Sequence, residues 1–493
     1  MKYFIFLLFF LHFHQLKSQE LFNQEELHEI RITFKEQNFW SILNDNYTLS
    51  QTLEENFYLM ANIEIDGIVV DSVGVRQKGE YSHKGFPGKK KPLKIDFNEF
   101  VGGKKFQGLK KINLANFAAD PSMMRDMLSY KIHELKGNTY CETSYTKVYL
   151  NEEFWGLYLI VEQIDKTFLK KNFGENDGNL YKSITRTGLR WEGNDFEPYS
   201  NNIELKTNKT KNDHAAFINF IDILNNRPEE IESVFDMESF LSILSVDVVI
   251  NNWDSYYDNE RNFYLYLNPN DNKFHYIPWD YNLSFWAKEP TNLIPIKPDI
   301  TKPLLNLIEN NRKYKQLYFN NFCKLLETVF IEEKLYPVID DIYDLISEEI
   351  KLEENKFYSA DAFNINIETS VNVVMPRNNV NKAVLLPGLK EFIQVKRQKI
   401  RELLVEVKAN CYFEKARYIA FPNPTEDIVK FDLEGKHDKI ISIYVYNYLG
   451  AVIEIINKPE SLELDLSNYQ KGIYNVVINH FNTEEKNIKI IKK

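Results

Sequence analysis

The chain has 493 residues, enough for two or three domains, and its 44% hydrophobic and 14% aromatic content marks a folded protein rather than a low-complexity one. Sixty basic residues against 71 acidic ones leave a net charge of −11, which argues against a general nucleic-acid binder while leaving room for a local basic patch. Cys141, Cys323 and Cys411 are too few and too scattered for a disulfide framework or a metal cluster. A bridge between Cys141 and Cys411 stays open, with Cys323 in the core beside Phe319, Phe322 and Leu326 on one helix face.

Residues 1–19 read as a secretory signal, with Lys2, an apolar stretch over 3–13 and then Lys17-Ser18-Gln19. No later segment reaches about 18 uninterrupted apolar residues, so an exported, soluble protein without a transmembrane segment is expected. Residues 28–34 alternate as a strand and 37–44 suggest a short helix. Asp66-Gly67 between 61–65 and 68–75 is a two-residue hairpin signal. The second strand runs into Arg76-Gln77-Lys78-Gly79, then Lys84 and Lys89-Lys90-Lys91, before a strand over 92–97 that carries Lys94. A basic, Gly-containing loop between strands can cover phosphates with N–H groups and cationic side chains. The ordinary alternative is a solvated loop.

Residues 109–115 read as a buried strand, followed by a helix over 123–135 that Asp120 or Ser122 would cap. Arg125 in its first turn is disfavoured by the helix dipole, so a specific phosphate or carboxylate partner is expected. Residues 145–150 and 155–161 form a further hairpin leading to Glu162, and a short strand ends in Lys182. Glu162 with Lys182, or with Lys94, is a candidate nucleotide-positioning ion pair. Residues 183–213 read as a polar insertion or mobile loop, 214–224 and 236–250 as helices, the latter capped by Asp236.

Residues 262–267 and 273–279 are rich in aromatic and β-branched residues around the turn formers Asn268-Pro269-Asn270-Asp271-Asn272, a β-hairpin signal. Folded about residue 270, the hairpin sets Asn262 opposite Trp279 and Asp280, where antiparallel partners lie about 5 Å apart. Asp254 and Asp258 lie just upstream. Hard oxygen ligands at a hairpin mouth suit Mg²⁺ with phosphate oxygens completing its shell. The plain alternative is that they cap strand ends and turns. Beyond Asp280, helices are expected over 302–327, 331–349 and 389–407, packed behind the strands, with 375–379 as a polar loop. From residue 416 six short strands make a separate β-sandwich.

These stretches together resemble the spore-coat-H (CotH) family of secreted protein-kinase-like proteins over residues 28–405. The residues that carry it are Arg76-Gln77-Lys78-Gly79-Glu80-Tyr81-Ser82 with Lys91-Pro92-Leu93-Lys94, and Leu114-Ala115-Asn116-Phe117 through Asp120-Pro121-Ser122-Met123-Met124-Arg125. Gly156-Leu157-Tyr158, Asn252-Trp253-Asp254, Asn262-Phe263-Tyr264 and Ile277-Pro278-Trp279-Asp280-Tyr281 continue it. The resemblance implies an α+β, atypical protein-kinase-like domain with a helical C-terminal lobe over 20–410. It also implies an enzyme that uses ATP with Mg²⁺ or Mn²⁺ to phosphorylate Ser or Thr of secreted protein substrates. Protein kinases run catalytic Asp, metal-binding Asn, hairpin, metal-binding Asp. In that order Asp254 takes the catalytic position and Asn262 and Asp280 the metal positions, with Arg76, Lys78, Lys94, Glu162 and Lys182 as nucleotide or phosphate contacts.

Two departures accompany this match. Asn262 follows Asp254 by eight positions, so Asp258 or Asn259 stand as alternates, and Asn282 occupies a position where the family commonly carries Asp. They support a second expectation, a kinase-like surface scaffold without catalysis, and a third is a metal-dependent hydrolase. Residues 416–493 resemble the C-terminal sorting domain of the type IX secretion system. Phe421-Pro422-Asn423-Pro424-Thr425, Leu464-Asp465-Leu466-Ser467 and Gly472-Ile473-Tyr474 carry that match. It implies a Bacteroidetes-type cell, the secretion machinery as a partner, and a secreted or cell-surface location.

Overall fold

In the computed structural model the chain divides into two compact units, 1–410 and 411–493. The structure describes residues 21–210, 214–286, 301–377, 380–407, 409, 411, 417–434, 440–457, 463–480 and 486–493, so the signal segment expected over 1–19 lies outside it.

The first unit is α+β, and its first half is a closed barrel. The strands are β1 (His28–Thr33), β2 (Leu59–Ile65), β3 (Ile68–Gln77), β4 (Leu93–Asp96), β5 (Lys111–Ala115), β6 (Thr143–Leu150) and β7 (Glu153–Glu162). They run in the order β1-β2-β3-β4-β5-β7-β6, and a parallel pairing of β6 with β1, Ile30 opposite Val148, closes the circle. Hairpins and alternation were legible in the sequence; this closure, between segments more than a hundred residues apart, was not. One face of each strand feeds a single core that includes Ile30, Ile63, Val75, Ile95, Leu114, Val148 and Ile160. Each such side chain contributes about 1.5–3 kcal/mol by leaving water. The Asp66-Gly67 turn has φ of 49° and 82°, the left-handed pair that a tight hairpin needs.

Helix α1 (Phe39–Leu53) lies between β1 and β2, α2 (Tyr81–Lys84) is a single turn between β3 and β4, and α3 (Arg125–Lys136) joins β5 to β6. No side chain caps α3 at Met124; instead Asp120 Oδ2 accepts the Arg125 N–H at 2.8 Å. The expected specific partner of Arg125 is the same carboxylate, with Nη1 2.6 Å from Asp120 Oδ1. Asn366 Oδ1 accepts from both Nη atoms and the Pro387 carbonyl accepts from Nη2.

After α4 (Lys166–Phe173), a second sheet forms in the order β11-β10-β8-β9 from β8 (Leu180–Ser183), β9 (Ile203–Leu205), β10 (Phe263–Asn268) and β11 (Lys273–Pro278). The polar stretch after residue 183 is therefore more than an insertion. It holds α5 (Glu197–Ser200) and β9, which pairs with β8, while 211–213 lie outside the described residues. Helix α6 (Ala215–Asn226) and α7 (Met237–Val249) follow, and Asp236 caps α7 by accepting the Ser239 N–H. The remaining helices are α8 (Pro303–Asn310), α9 (Arg312–Thr328), α10 (Glu332–Leu352), α11 (Ala360–Glu368) and α12 (Leu389–Glu406). A hairpin of β12 (Val371–Arg377) and β13 (Val380–Leu386) interrupts them where a polar loop was expected, with 378–379 outside the described residues. Cys141 is a free, buried thiol, so the bridge left open to it does not form.

Among its described residues the second unit has seven strands in two sheets. Arg417–Phe421, Ile428–Glu434 and Glu463–Asp465 make one; Ile440–Asn447, Val452–Asn457, Gly472–His480 and Lys486–Lys492 make the other. Val429, Phe431 and Leu464 from the first sheet share a core with Ile443, Val445, Val476 and Ile490 from the second. The first strand, 417–421, was not among the six expected. Among the described residues no helix is long and apolar enough to cross a membrane.

Candidate functional site

The β10–β11 hairpin forms in the expected register, Phe263 opposite Pro278, and the Trp279 N–H donates to the Asn262 carbonyl at 3.1 Å. At its open end the backbone departs from strand geometry. Asn262 and Asp280 both hold left-handed φ, 60° and 66°, a region that Asn and Asp tolerate better than most residues. Such backbone persists only where neighbours hold it.

For Asn262 the neighbour is Asp254. Asn262 Nδ2 donates to Asp254 Oδ2 at 2.8 Å and to its carbonyl at 3.0 Å, and Asn259 Nδ2 donates to Oδ1 at 2.5 Å. The structure thus brings Asp254, Asn259 and Asn262 together in spite of the long intervening loop. Burial raises the Asp254 carboxyl above the ordinary range and the charge of Asp280 adds to this, against the amide bonds and Arg261. Asp258 goes elsewhere: it is exposed, and its carbonyl accepts from Lys302.

For Asp280 the neighbour is α3. The Asp280 N–H donates to Tyr130 Oη at 3.2 Å, and the Tyr281 N–H donates to Asp126 Oδ1 at 2.8 Å. Asp126, Tyr130 and His133 lie four and three residues apart, hence on one helix face, and that face docks on the turn. His133 Nε2 meets Tyr281 Oη at 2.5 Å, and Asn138 Nδ2 lies 3.1 Å from His133 Nδ1. Burial lowers His133 to about 3, so the ring is neutral. With Asn138 donating to Nδ1, the proton sits on Nε2 and points at the tyrosine.

Asp126 is the functional candidate that the sequence reading missed. It is buried, and it lines a cavity with Lys78, Asn113, Tyr130, Trp279, Asp280 and Asn282. Burial and then the Asp280 charge push its carboxyl up to about 8. Burial also raises Asp280, opposed by Lys78, Lys182 and Arg261. The signal available in the sequence was the polar Asp126, Tyr130, His133 stripe at helical spacing inside an otherwise apolar helix.

The cations converge on the same place. Arg76 and Lys94 are register partners on β3 and β4, and Lys182 is the β8 partner of Tyr264. Lys78 Nζ donates to Asn113 Oδ1 at 3.2 Å and lies 5.4 Å from the Trp279 ring centroid. Burial lowers Lys78 to about 8, opposed by Asp280 and helped by Lys182 and Arg76. Lys94 falls well below the ordinary lysine range through burial and then the charges of Lys78, Arg76 and Lys182; its ammonium bonds Gln163 Oε1. Burial lowers Lys182 too. Cations crowded together in a partly desolvated place suit an anion.

Two sequence expectations change. Glu162 pairs with neither Lys182 nor Lys94: Lys171 Nζ lies 2.7 Å from both of its oxygens, because α4 returns its last turn beside the end of β7. The Lys89-Lys90-Lys91 run is not a set of phosphate-covering cations. Lys90 is fully buried against Glu353, and Lys91 is bound to the carbonyls of His83 and Phe86 at 2.8 and 2.6 Å. Of the basic loop, Lys78, Gly79 and Ser82 line the cavity.

As a donor set, Asp280, Asp126 and the amides of Asn262 and Asn282 offer hard oxygens. Among the described residues no group of three or more His, Cys, Asp or Glu side chains gathers to hold a metal unaided. Such a set suits Mg²⁺, which takes one or two carboxylates and leaves positions for water and phosphate.

The secretion-system C-terminal sorting domain family matches residues 419–493, so the β-sandwich is a sorting domain. Inner spore coat protein H of Bacillus subtilis is 26% identical over 275 residues, covering 52% of this chain and 73% of that protein. Spore coat protein homolog 1 of Rhizopus delemar is 22% identical over 250 residues, 47% of this chain and 41% of that protein. Invasin CotH2 of the same fungus is 23% identical over 186 residues, 35% of this chain and 31% of that protein. The chain therefore spans less than half the length of the two fungal relatives. The description CotH kinase protein fits residues 75–399, which take in the barrel strands from Val75, α3 and the whole 251–282 region, and the chain belongs to that family.

Proposed function

We propose that the chain is an exported phosphotransferase that moves the terminal phosphoryl group of ATP to a Ser or Thr hydroxyl of a secreted or surface protein. The observation that carries this reading is that Lys78, Asp126, Asp280 and Asn282 line one cavity beside the open end of the hairpin, where Asn259 and Asn262 hold Asp254. Asp254 orients the acceptor hydroxyl and takes its proton at a carboxylate oxygen. Lys78, Arg76, Lys94 and Lys182 bind phosphate oxygens, so the reaction proceeds by positioning and charge stabilisation. Asp280 and Asn262 hold Mg²⁺ or Mn²⁺, which supplies neutralisation of phosphate charge when bound. The sorting domain directs the protein to type IX export, with the secretion machinery as its partner there.

The test is transfer of labelled phosphate from ATP, with Mg²⁺ or Mn²⁺, to a generic acceptor or to the chain itself. Transfer by the wild type and its loss in Asp280→Ala is the expected result; equal behaviour of the two removes the catalytic assignment. One observation favours a second reading, a kinase-like surface binding protein: both Asp254 oxygens are held by amides, from Asn259 and Asn262. Nucleotide binding without transfer would select it.

A further inference from the structure

The carboxylate of Asp126 is buried, on the face of α3 that docks against the 280–281 turn. Its Oδ1 accepts one backbone N–H, from Tyr281, and among the described residues it enters no ion pair. Asp280, beside it in the same cavity wall, likewise enters none, and Asn282 completes that wall. Two carboxylates of like charge facing one cavity, Asp126 buried and Asp280 partly buried, are costly unless a cation joins them. Lys78, which also lines the cavity, has its ammonium on Asn113 and over Trp279.

We infer that Asp126 is a ligand of the divalent cation, supplying together with Asp280 the pair of carboxylates that Mg²⁺ or Mn²⁺ takes, and doing so from α3 rather than from the hairpin. The inference rests on the phosphotransferase reading and adds to it a residue from a distant element. It gives α3 a function: the helix whose face fixes the turn also contributes to the ion, so the ion bridges the helix and the hairpin. Residue 282 is the neighbouring position, and an acid placed there would serve the same ion.

The experiment is an Mn²⁺ titration of the purified chain, followed by electron paramagnetic resonance, without any assay of transfer. Asp126→Asn keeps an oxygen to accept the Tyr281 N–H, and it should weaken Mn²⁺ binding about tenfold or more, the scale at which metal-site substitutions act. Asn282→Asp in that background should recover binding, because the new carboxylate faces the same cavity. Asp126→Asn binding Mn²⁺ as tightly as wild type, while Asp280→Asn loses it, overturns the inference and leaves the metal reading intact. No Mn²⁺ binding by the wild type overturns both. Should Asp126→Asn fail to fold, shown by loss of its near-ultraviolet circular dichroism, Asn282→Asp alone decides. The inference requires tighter Mn²⁺ binding from the added carboxylate, and unchanged binding removes it.

Discussion

Lys90 Nζ lies 2.6 Å from Glu353 Oε1, and neither side chain is exposed. The partners are more than 260 residues apart and tie the loop between β3 and β4 to the residue that ends α10. Glu353 Oε2 also accepts the Leu157 N–H at 3.0 Å, so the same carboxylate pins β7. The Phe117 and Tyr158 rings lie 5.3 and 5.4 Å from the ammonium. Gly156 makes room for the pair: a Cβ there would sit 2.6 Å from Glu353 Oε1.

Removing one partner strands the other charge without water. Lys90→Met or Glu353→Gln should each cost about 3–5 kcal/mol. Urea unfolding of each variant measures this, and the double replacement Lys90→Met with Glu353→Leu should cost less than either single one. If the single changes leave the midpoint where it is in wild type, the pair does not hold the loop.

His275 offers a pH test. Its ring meets Asp236 at 3.2 Å and Asp271 at 2.8 Å, joining the cap of α7 to the hairpin turn. Burial disfavours the charged ring, but the bonds to Asp236 and Asp271 outweigh it and the pKa is raised. A raised histidine stabilises the fold fully below its unfolded value of about 6.5, and that contribution is lost as pH rises through the raised folded value. Unfolding midpoints of wild type and His275→Gln should therefore differ most below about pH 6.5 and converge at alkaline pH. A constant difference across that range would mean the ring's charge plays no part.

The amide clamp on Asp254 makes a kinetic prediction. If Asp254 accepts the hydroxyl proton, Asp254→Ala should lower the transfer rate about 10²–10⁴-fold while nucleotide binding stays near wild type. Asn259→Ala, which leaves the Asn262 bond in place, should lose less. Transfer rates with parallel measurement of nucleotide affinity separate these outcomes, and a matching loss of affinity would make Asp254 a binding residue instead.

Local pattern reached some of this and not the rest. The β10–β11 hairpin is written in adjacent residues, an aromatic alternation around Asn268-Pro269-Asn270, and its register and the approach of Asn262 to Trp279 follow from counting. Asp236 as a cap follows from local hydrogen bonding in the same way. Lys90 was misread because a run of three lysines looks solvated until Glu353 is placed beside it, and nothing near residue 90 announces residue 353. Glu162 met Lys171 rather than a strand lysine because α4 turns back on β7. Asp126 escaped notice because an acid in the first turn of a helix has a sufficient local reason to be there. Its second role depends on how α3 docks on residues 280–281. Barrel closure through β1 and β6 is a tertiary event of the same kind.

Lys94 is where stability and function should part. Its ammonium bonds a neutral amide oxygen, on Gln163, and feels the repulsion of Lys78, Arg76 and Lys182. A lysine desolvated and crowded by like charges destabilises the fold, as strained binding groups do. Lys94→Met keeps much of the apolar stem and removes the charge, so the thermal midpoint of the unliganded chain should rise. The same change removes a charge-assisted contact worth about 1.5–3 kcal/mol, so nucleotide affinity should fall roughly 10–100-fold. The two readouts move in opposite directions only if the cations exist to hold phosphate. A variant that loses stability and binds nucleotide unchanged would make Lys94 a structural residue and leave the anion to Lys78, Arg76 and Lys182.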